Sequence, residues 1–187
     1  MSKLSAKTLK TNFNIPTILL LSVIPDADIL IPFLEHRGPT HSIILTLIAF
    51  APIFVVYHKK AIPYLLALVQ HSLIGDYIAG GRIRLLWPLT TQYYGLELSI
   101  RSQTNIALEW IVFLTSTTIM LETKDIITLL QPHNSNLILT IPTFTVLLPT
   151  LTSFPLDVPT WLILPHLLYL TIFSVSIVTE CLKLFRL

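Results

Sequence analysis

The sequence is short of charge and of cysteine. Lys, Arg, Asp and Glu make up 12% of the 187 residues, about half of the roughly 25% that is usual in soluble domains. The net charge of +2 comes from scattered basic residues, so no basic patch indicates a nucleic-acid partner. The single cysteine, Cys181, excludes an intrachain disulfide.

Long apolar runs are abundant instead, since 53% of the residues are hydrophobic and the mean hydropathy is +0.74. A membrane span needs about 20 apolar residues, and lipid offers the backbone no hydrogen-bonding partner, so such runs are expected to be helical. We predict an all-α, polytopic integral membrane protein of the cell (plasma) membrane, with a bundle of five or six transmembrane helices. Beyond the first segment, the candidate spans are 41–57, 61–79, 105–121, 135–152 and 160–182.

The N-terminal segment resembles a signal peptide in its charge and hydropathy. Lys3, Lys7 and Lys10 precede an apolar run at 15–24, but no small-x-small cleavage site follows, so we expect the segment to be retained. The run is too short to span alone. It either continues through 29–34 with two aspartates embedded, or dips into the membrane without crossing it.

The basic residues divide by type between the two predicted sides. If six segments cross, the lysines and Arg186 share one side, which the positive-inside rule makes cytoplasmic. The other side holds only arginines, which bind phosphate or carboxylate bidentately. They are Arg37, Arg82, Arg84 and Arg101. This division predicts a reaction or binding face on the non-cytoplasmic side, and it reverses if the first segment is re-entrant.

Three polar clusters interrupt the apolar chain, and all lie in its first half. They are "PDAD" at 25–28, "EHRGPTHS" at 35–42 and "QHSLIGDYIAGGRIRLLWP" at 70–88. We therefore treat 1–187 as a single membrane domain in which about 16–104 bears the site and about 105–187 is a helical scaffold.

The clusters carry imidazoles and carboxylates, the ligands that zinc, manganese and iron accept. Ionisable groups at membrane depth cost at least about 2.5 to 3.5 kcal/mol each, so they are rare unless paired or functional. Six of them suit a two-metal site, or one metal with a separate proton-transfer group. The candidate metal ligands are Asp26, Asp28, His36, His41, His71 and Asp76.

The spacing of these residues sets conditions on the backbone. His36 and His41 lie five apart, so they need the break at Gly38 and Pro39, with Thr40 capping the next helix and His41 in its first turn. His71 and Asp76 are also five apart. A single face can hold both only through a local π-bulge or a helix end near Gly75.

Together the motifs carry a family resemblance. "PDAD", "HRGPTHS" and a histidine followed by "GDY", "GG" and "LLWPL" resemble the family of membrane-bound metal-dependent hydrolases, also described as LexA-binding, inner-membrane-associated or YdjM-like, over about residues 16–90. The resemblance implies a multi-helix membrane protein with metal-dependent hydrolytic activity. Two departures stand out, because family members usually carry a histidine before PDxD, and their later His and Asp are more commonly four apart.

The predicted reaction is attack of a metal-activated water on an ester or phosphoester, with a lipid or lipid-linked substrate favoured by the membrane address. Zinc is the first choice of cofactor, and manganese or iron are alternatives. Arg37 is the candidate for neutralising developing negative charge, with Arg82 and Arg84 behind it, and Asp28 or Glu35 is the candidate general base. The alternative is a non-catalytic membrane protein, a transporter or a subunit of a larger complex, that retains a degenerate metal site.

Overall fold

A computed structural model describes residues 12–79, 81–152 and 158–185. Within these residues the chain is helical and contains no strand, which confirms the predicted all-α class. The chain forms two compact units, Met1–Ser99 and Ile100–Leu187. The prediction of a retained N-terminal segment rests on Lys3, Lys7 and Lys10, and these lysines lie outside the described residues.

Four helical stretches in the described part of the chain are long and apolar enough to cross a membrane. They are Ile43–Ile78, Gln103–Glu122, Asn134–Thr152 and Thr160–Leu184. Four is slightly fewer than the predicted five or six, and the stretch Ile43–Ile78 contains two of the expected spans, 41–57 and 61–79. The first apolar run forms only a helix of 7 residues, which is far shorter than a bilayer requires.

Within its described residues, the first unit is built from three α-helices joined by tighter helical turns. The α-helices are α1 (Ile15–Leu21), α2 (Ile43–Tyr57) and α3 (Ile62–Gln70). The 3₁₀-helices are Ile24–Leu30, Pro39–His41 and His58–Ala61, and a π-helix at His71–Ile78 continues α3.

Helices α2 and α3 form an antiparallel hairpin. The chain reverses at His58, whose φ of 49° and ψ of −131° interrupt the helix. The hairpin brings the start of α2 beside the π-helix that ends α3, so that the Nε2 atoms of His41 and His71 are 3.3 Å apart. Residues from two of the polar clusters therefore meet at one end of the hairpin, and Lys59 and Lys60 lie at the other.

The cap of α2 differs from the prediction. Ser42, and not Thr40, is the N-cap, and its Oγ accepts from the backbone N–H of Leu45 at 3.3 Å. The Ser42 hydroxyl also lies 2.5 Å from the carbonyl oxygen of Trp87. Because the Gly-Pro break is followed by a separate 3₁₀ turn, α2 starts two residues later than expected, and the Thr40 hydroxyl is left to bond Asp28.

An irregular loop, residues 81–99, is fastened to the turn that carries the histidines. The amide of Arg84 donates to the carbonyl of Arg37 at 3.0 Å. Inside the loop, Ile83 and Tyr94 exchange two backbone hydrogen bonds of 2.8 Å. Gly95 has a φ of 141°, and a Cβ there would lie 2.2 Å from the carbonyl oxygen of Gly81. The loop therefore requires glycine at position 95.

The second unit consists, in its described residues, of helices joined by short turns. Its α-helices are α4 (Gln103–Glu122), α5 (Asp125–Leu130), α6 (Thr140–Pro142), α7 (Leu148–Thr152) and α8 (Ile163–Leu184). Shorter turns are 3₁₀-helices at Asn134–Leu139 and Thr160–Leu162 and a π-helix at Thr143–Leu147. The rings of Phe113 and Tyr169, 5.7 Å apart, join α4 to α8.

The outer faces of both units are apolar. Val55 and Val56 on α2 are 68% and 67% exposed, and Leu164 on α8 is 68% exposed. Such surfaces are unfavourable in water and are satisfied by lipid tails. The exposure pattern therefore agrees with helices that lie in a bilayer.

Candidate metal centre

Four predicted ligands converge at the end of the α2–α3 hairpin. They are Asp26, His41, His71 and Asp76, and each offers one ligand atom within 4.8 Å of the other three. Asp26 comes from the 3₁₀-helix Ile24–Leu30 and His41 from the turn before α2, while His71 and Asp76 come from the π-helix. Three segments that are distant in sequence thus contribute to one cluster.

Five of the six distances between these atoms are close to the edges of a small tetrahedron, including the 3.3 Å between the two Nε2 atoms. Asp26 Oδ1 lies 3.2 Å from the Nε2 atoms of both His41 and His71. Asp76 Oδ2 lies 3.4 Å from His41 Nε2 and 3.2 Å from His71 Nε2. Zinc binds nitrogen and oxygen at about 2.0 to 2.2 Å, which places tetrahedral ligands about 3.3 to 3.6 Å from one another. The spacing therefore suits four ligands around one ion.

The π-helix explains how two ligands five residues apart share a face. Its backbone hydrogen bonds run from residue i to i+5, so His71 and Asp76 are stacked on one side. This local geometry was one of the two predicted from their spacing. A π-helix in an otherwise α-helical stretch is frequent at functional sites.

Each histidine is oriented by a contact on its other nitrogen. His71 Nδ1 lies 2.8 Å from the carbonyl oxygen of Ser22, and since a carbonyl can only accept, Nδ1 carries a proton and donates it there, while Nε2 faces the cluster. His41 Nδ1 lies 3.4 Å from Asp28 Oδ2. Backing of a histidine by a carbonyl or carboxylate is the usual arrangement in metal sites.

Asp28 and His36 form a second group with His41. The buried carboxylate of Asp28 accepts from the hydroxyl of Thr40 at 2.5 Å and contacts His36 Nδ1 at 2.9 Å. It lies on the Nδ1 side of His41, whereas the four converging ligands lie on the Nε2 side. The six predicted ligands are thus brought together as two adjoining groups that share the His41 ring.

The cluster contains a buried oxygen atom that a metal ion would satisfy. Asp76 Oδ2 is buried and makes no hydrogen bond to any described residue, although two imidazole nitrogens are within 3.4 Å of it. An unsatisfied buried oxygen is costly, and a cation shared with those nitrogens would satisfy it. Two nitrogen and two oxygen donors fit zinc, manganese or iron.

Arg37 lies beside this cluster. Its Nε is 3.3 Å from Asp76 Oδ1, the oxygen that faces away from the two histidines. Its backbone has a φ of 63°, an uncommon conformation for a residue with a side chain, and such strain clusters at functional sites. Arg37 therefore positions Asp76 and adds positive charge at the edge of the cluster.

The other predicted catalytic groups lie in the loop and at its contact with the turn. Glu35 belongs to neither metal-ligand group, because Arg84 holds it at 2.8 Å and the hydroxyl of Tyr93 bonds its other oxygen. Arg84 also stacks over the Tyr93 ring, with Cζ 5.1 Å from the centroid. Arg82 pairs with Glu97. Both arginines are thus engaged with carboxylates.

Sequence reasoning missed two partners of the site. The pairing of Tyr93 with Glu35 depends on how the loop folds back. The Ser22 carbonyl that holds His71 is a backbone group, so no residue type could have signalled it.

Neighbouring polar and charged side chains shift the pKa values of Asp26, Asp28 and His41, which lie outside the membrane-spanning stretches. Burial by itself would raise the pKa of Asp26, but hydrogen bonds to His41 and His71 hold that pKa well below its usual range. The pKa of Asp28 is lowered in the same way, since contacts with His36, His41 and Thr40 outweigh its burial. Burial would lower the pKa of His41, but its hydrogen bonds to Asp26 and Asp28 raise it above the ordinary 6.5.

Metal affinity is expected to increase with pH. Because the pKa of His41 is raised, the metal-free protein binds a proton there more strongly than at an ordinary histidine, and a metal must displace it. Below that pKa, the apparent affinity should rise about tenfold per pH unit for each proton released. Competition with a chelator of known affinity at pH 6, 7 and 8 measures this slope, and a flat profile would contradict the role of His41 as a ligand.

The fold and the cluster define a class, namely a polytopic helical membrane protein with a group of potential metal ligands at one end of a helical hairpin. A family model described as YdjM inner membrane protein matches residues 2–154. The chain belongs to this family and is an integral inner membrane protein. No curated protein and no solved structure matches it.

Proposed function

We propose that this protein is a metal-dependent hydrolase that cleaves an ester or phosphoester of a lipid or lipid-linked substrate. The observation that carries the proposal is the convergence of two imidazole and two carboxylate ligand atoms, all within 4.8 Å of one another, at the end of the α2–α3 hairpin. The buried Asp76 Oδ2 also makes no hydrogen bond to any described residue, and a bound cation would satisfy it.

Asp26, His41, His71 and Asp76 would hold the metal, with zinc as first choice and manganese or iron as alternatives. A bound divalent ion of this kind lowers the pKa of water to about 7 and so supplies a nucleophile at neutral pH. Asp28 acts as a positioning residue, because its oxygens contact His36, Thr40 and His41.

Arg37 and Glu35 are assigned the remaining roles. The guanidinium of Arg37, ion-paired with Asp76, neutralises negative charge that develops on the substrate. Glu35 is the better of the two predicted general bases, since its side chain is 46% exposed and can exchange a proton with water. For Glu35 to act, its carboxylate must loosen from Arg84.

The position of the centre favours a membrane substrate. It lies at the opposite end of the hairpin from Lys59 and Lys60, and its side of the membrane depends on whether the first segment crosses. An end of a membrane hairpin is expected near the lipid headgroups, where lipid esters and phosphates are found. The arginines near the site suit a phosphate-bearing headgroup.

The experiment is a hydrolysis assay on detergent-purified protein that is metal-free, or reconstituted with zinc or manganese. The probes, in mixed micelles, are a phosphatidate, a polyprenyl phosphate and a carboxylic ester of a fatty acid. Phosphate or fatty-acid release is expected only from the reconstituted protein, and Asp76→Asn should lower it at least about 100-fold. Metal-loaded protein that releases no more product than Asp76→Asn from any probe would favour the non-catalytic alternative.

A further inference from the structure

A cavity lies in the first unit, away from the metal centre. It has a volume of about 500 Å³ and lies between α1, α2 and α3. Each helix contributes residues from one face, because Phe50 and Tyr57 are seven apart on α2, and Tyr64 and Leu68 are four apart on α3. The cavity is thus formed by the packing of the three helices, and its volume lies within the range of ligand pockets.

The two ends of the cavity differ in polarity. The end nearer the metal centre is apolar and includes Leu21, Phe50 and Leu68. The far end carries Lys60 with Tyr57 and Tyr64. Lys60 lies in the turn of the hairpin, where a lysine and two tyrosines are typical of a membrane interface. An apolar slot that ends in a single cationic group matches an acyl chain attached to an anionic headgroup.

The site is separate from the proposed catalytic centre. Helix α2 has 15 residues, so its two ends are about 22 Å apart at 1.5 Å per residue. The metal ligands lie at the start of α2, and Lys60 follows its end. A lipid with its phosphate at Lys60 therefore belongs to the membrane leaflet opposite the metal centre, and it is not the substrate.

We infer that this cavity binds one phospholipid with an anionic headgroup. The phosphate contacts the ammonium of Lys60, and an acyl chain lies against Phe50 and Leu68. In a bilayer an acyl chain gains little free energy by moving from other lipid tails into this cavity. The ionic contact with Lys60 therefore sets the preference for one headgroup over another. One lysine near the membrane surface is worth about fivefold in favour of an anionic lipid.

The test is native mass spectrometry of the full chain released from nanodiscs that hold equal amounts of phosphatidylglycerol and phosphatidylethanolamine. The wild type should retain one lipid per chain, with phosphatidylglycerol favoured about fivefold. Lys60→Ala should lose that preference. Lys59→Ala is the matched control, since it removes the same charge one residue away and Lys59 does not line the cavity.

Two further experiments test the contributions of the acyl chain and of the headgroup separately. Leu68→Trp narrows the apolar end and should abolish the retained lipid while Lys60 remains, with bound metal as the check that the unit is folded. Glycerol 3-phosphate, which has no acyl chain, should not displace the lipid. No retained lipid in the wild type, an equal preference in Lys60→Ala and Lys59→Ala, unchanged lipid in folded Leu68→Trp, or displacement by glycerol 3-phosphate would each overturn the inference.

Discussion

A His41→Ala variant is expected to bind zinc or manganese at least about 100-fold more weakly than the wild type, since loss of an outer partner of a metal ligand alone costs about 10- to 100-fold. The ring of His41 offers Nε2 to Asp26 and Asp76, and its Nδ1 faces Asp28. Its removal deletes one ligand and leaves three carboxylates near one another without the imidazole between them. Equilibrium dialysis against buffered metal measures the change.

The control for this variant is His58→Asn, which removes an imidazole from the far end of the same hairpin. His58 is exposed and belongs to neither group of potential ligands. Its backbone φ of 49° is one that asparagine tolerates better than most residues. Equal metal affinity in His41→Ala and in the wild type would contradict the assignment, and a loss in His58→Asn would show that the measurement reports on folding.

A Gly95→Ala variant is expected to detach the loop at 81–99 from the metal centre. The new Cβ would lie 2.2 Å from the Gly81 carbonyl oxygen, and the φ of 141° is itself strained for alanine. Backbone strain of this kind and the forced movement together should cost at least about 3 kcal/mol. For a chain of this length the unfolding midpoint should fall by about 6 to 12 °C, as measured by thermal unfolding in detergent.

Gly75→Ala provides the matched control on the π-helix. Its Cβ would have His71 Nδ1 as nearest neighbour at 3.9 Å, an ordinary contact. Alanine within a helix is more favourable than glycine by about 0.5 to 1 kcal/mol, so Gly75→Ala should be neutral or slightly stabilising. If Gly95→Ala unfolds at the same temperature as Gly75→Ala, the close approach of residues 81 and 95 is absent.

Much of this architecture follows from the sequence. The low charge and long apolar runs are enough to predict membrane helices, because lipid leaves the backbone no alternative. The polar clusters stand out for the same reason, since an aspartate or histidine between such runs is costly. The five-residue spacing of His71 and Asp76 also limits the backbone to a few geometries, of which the π-helix is one.

Other features depend on contacts that the sequence does not reveal. The reversal at His58 joins two predicted spans into one hairpin, and nothing in "YHKKA" states how sharply the chain turns. Thr40 has the residue type of a helix cap, but Asp28 captures its hydroxyl and Ser42 caps instead. The separation of the six candidate ligands into two groups depends on which face of His41 each carboxylate approaches.

The central claim is that the cluster at the end of the hairpin holds a metal ion. The most direct measurement is the metal content of the detergent-purified wild-type protein by elemental mass spectrometry, after incubation with zinc, manganese and iron and removal of loosely bound ions. We expect at least one equivalent of one of these metals per chain, and two if Asp28, His36 and His41 Nδ1 form a second site. A content close to zero for all three metals would contradict the claim.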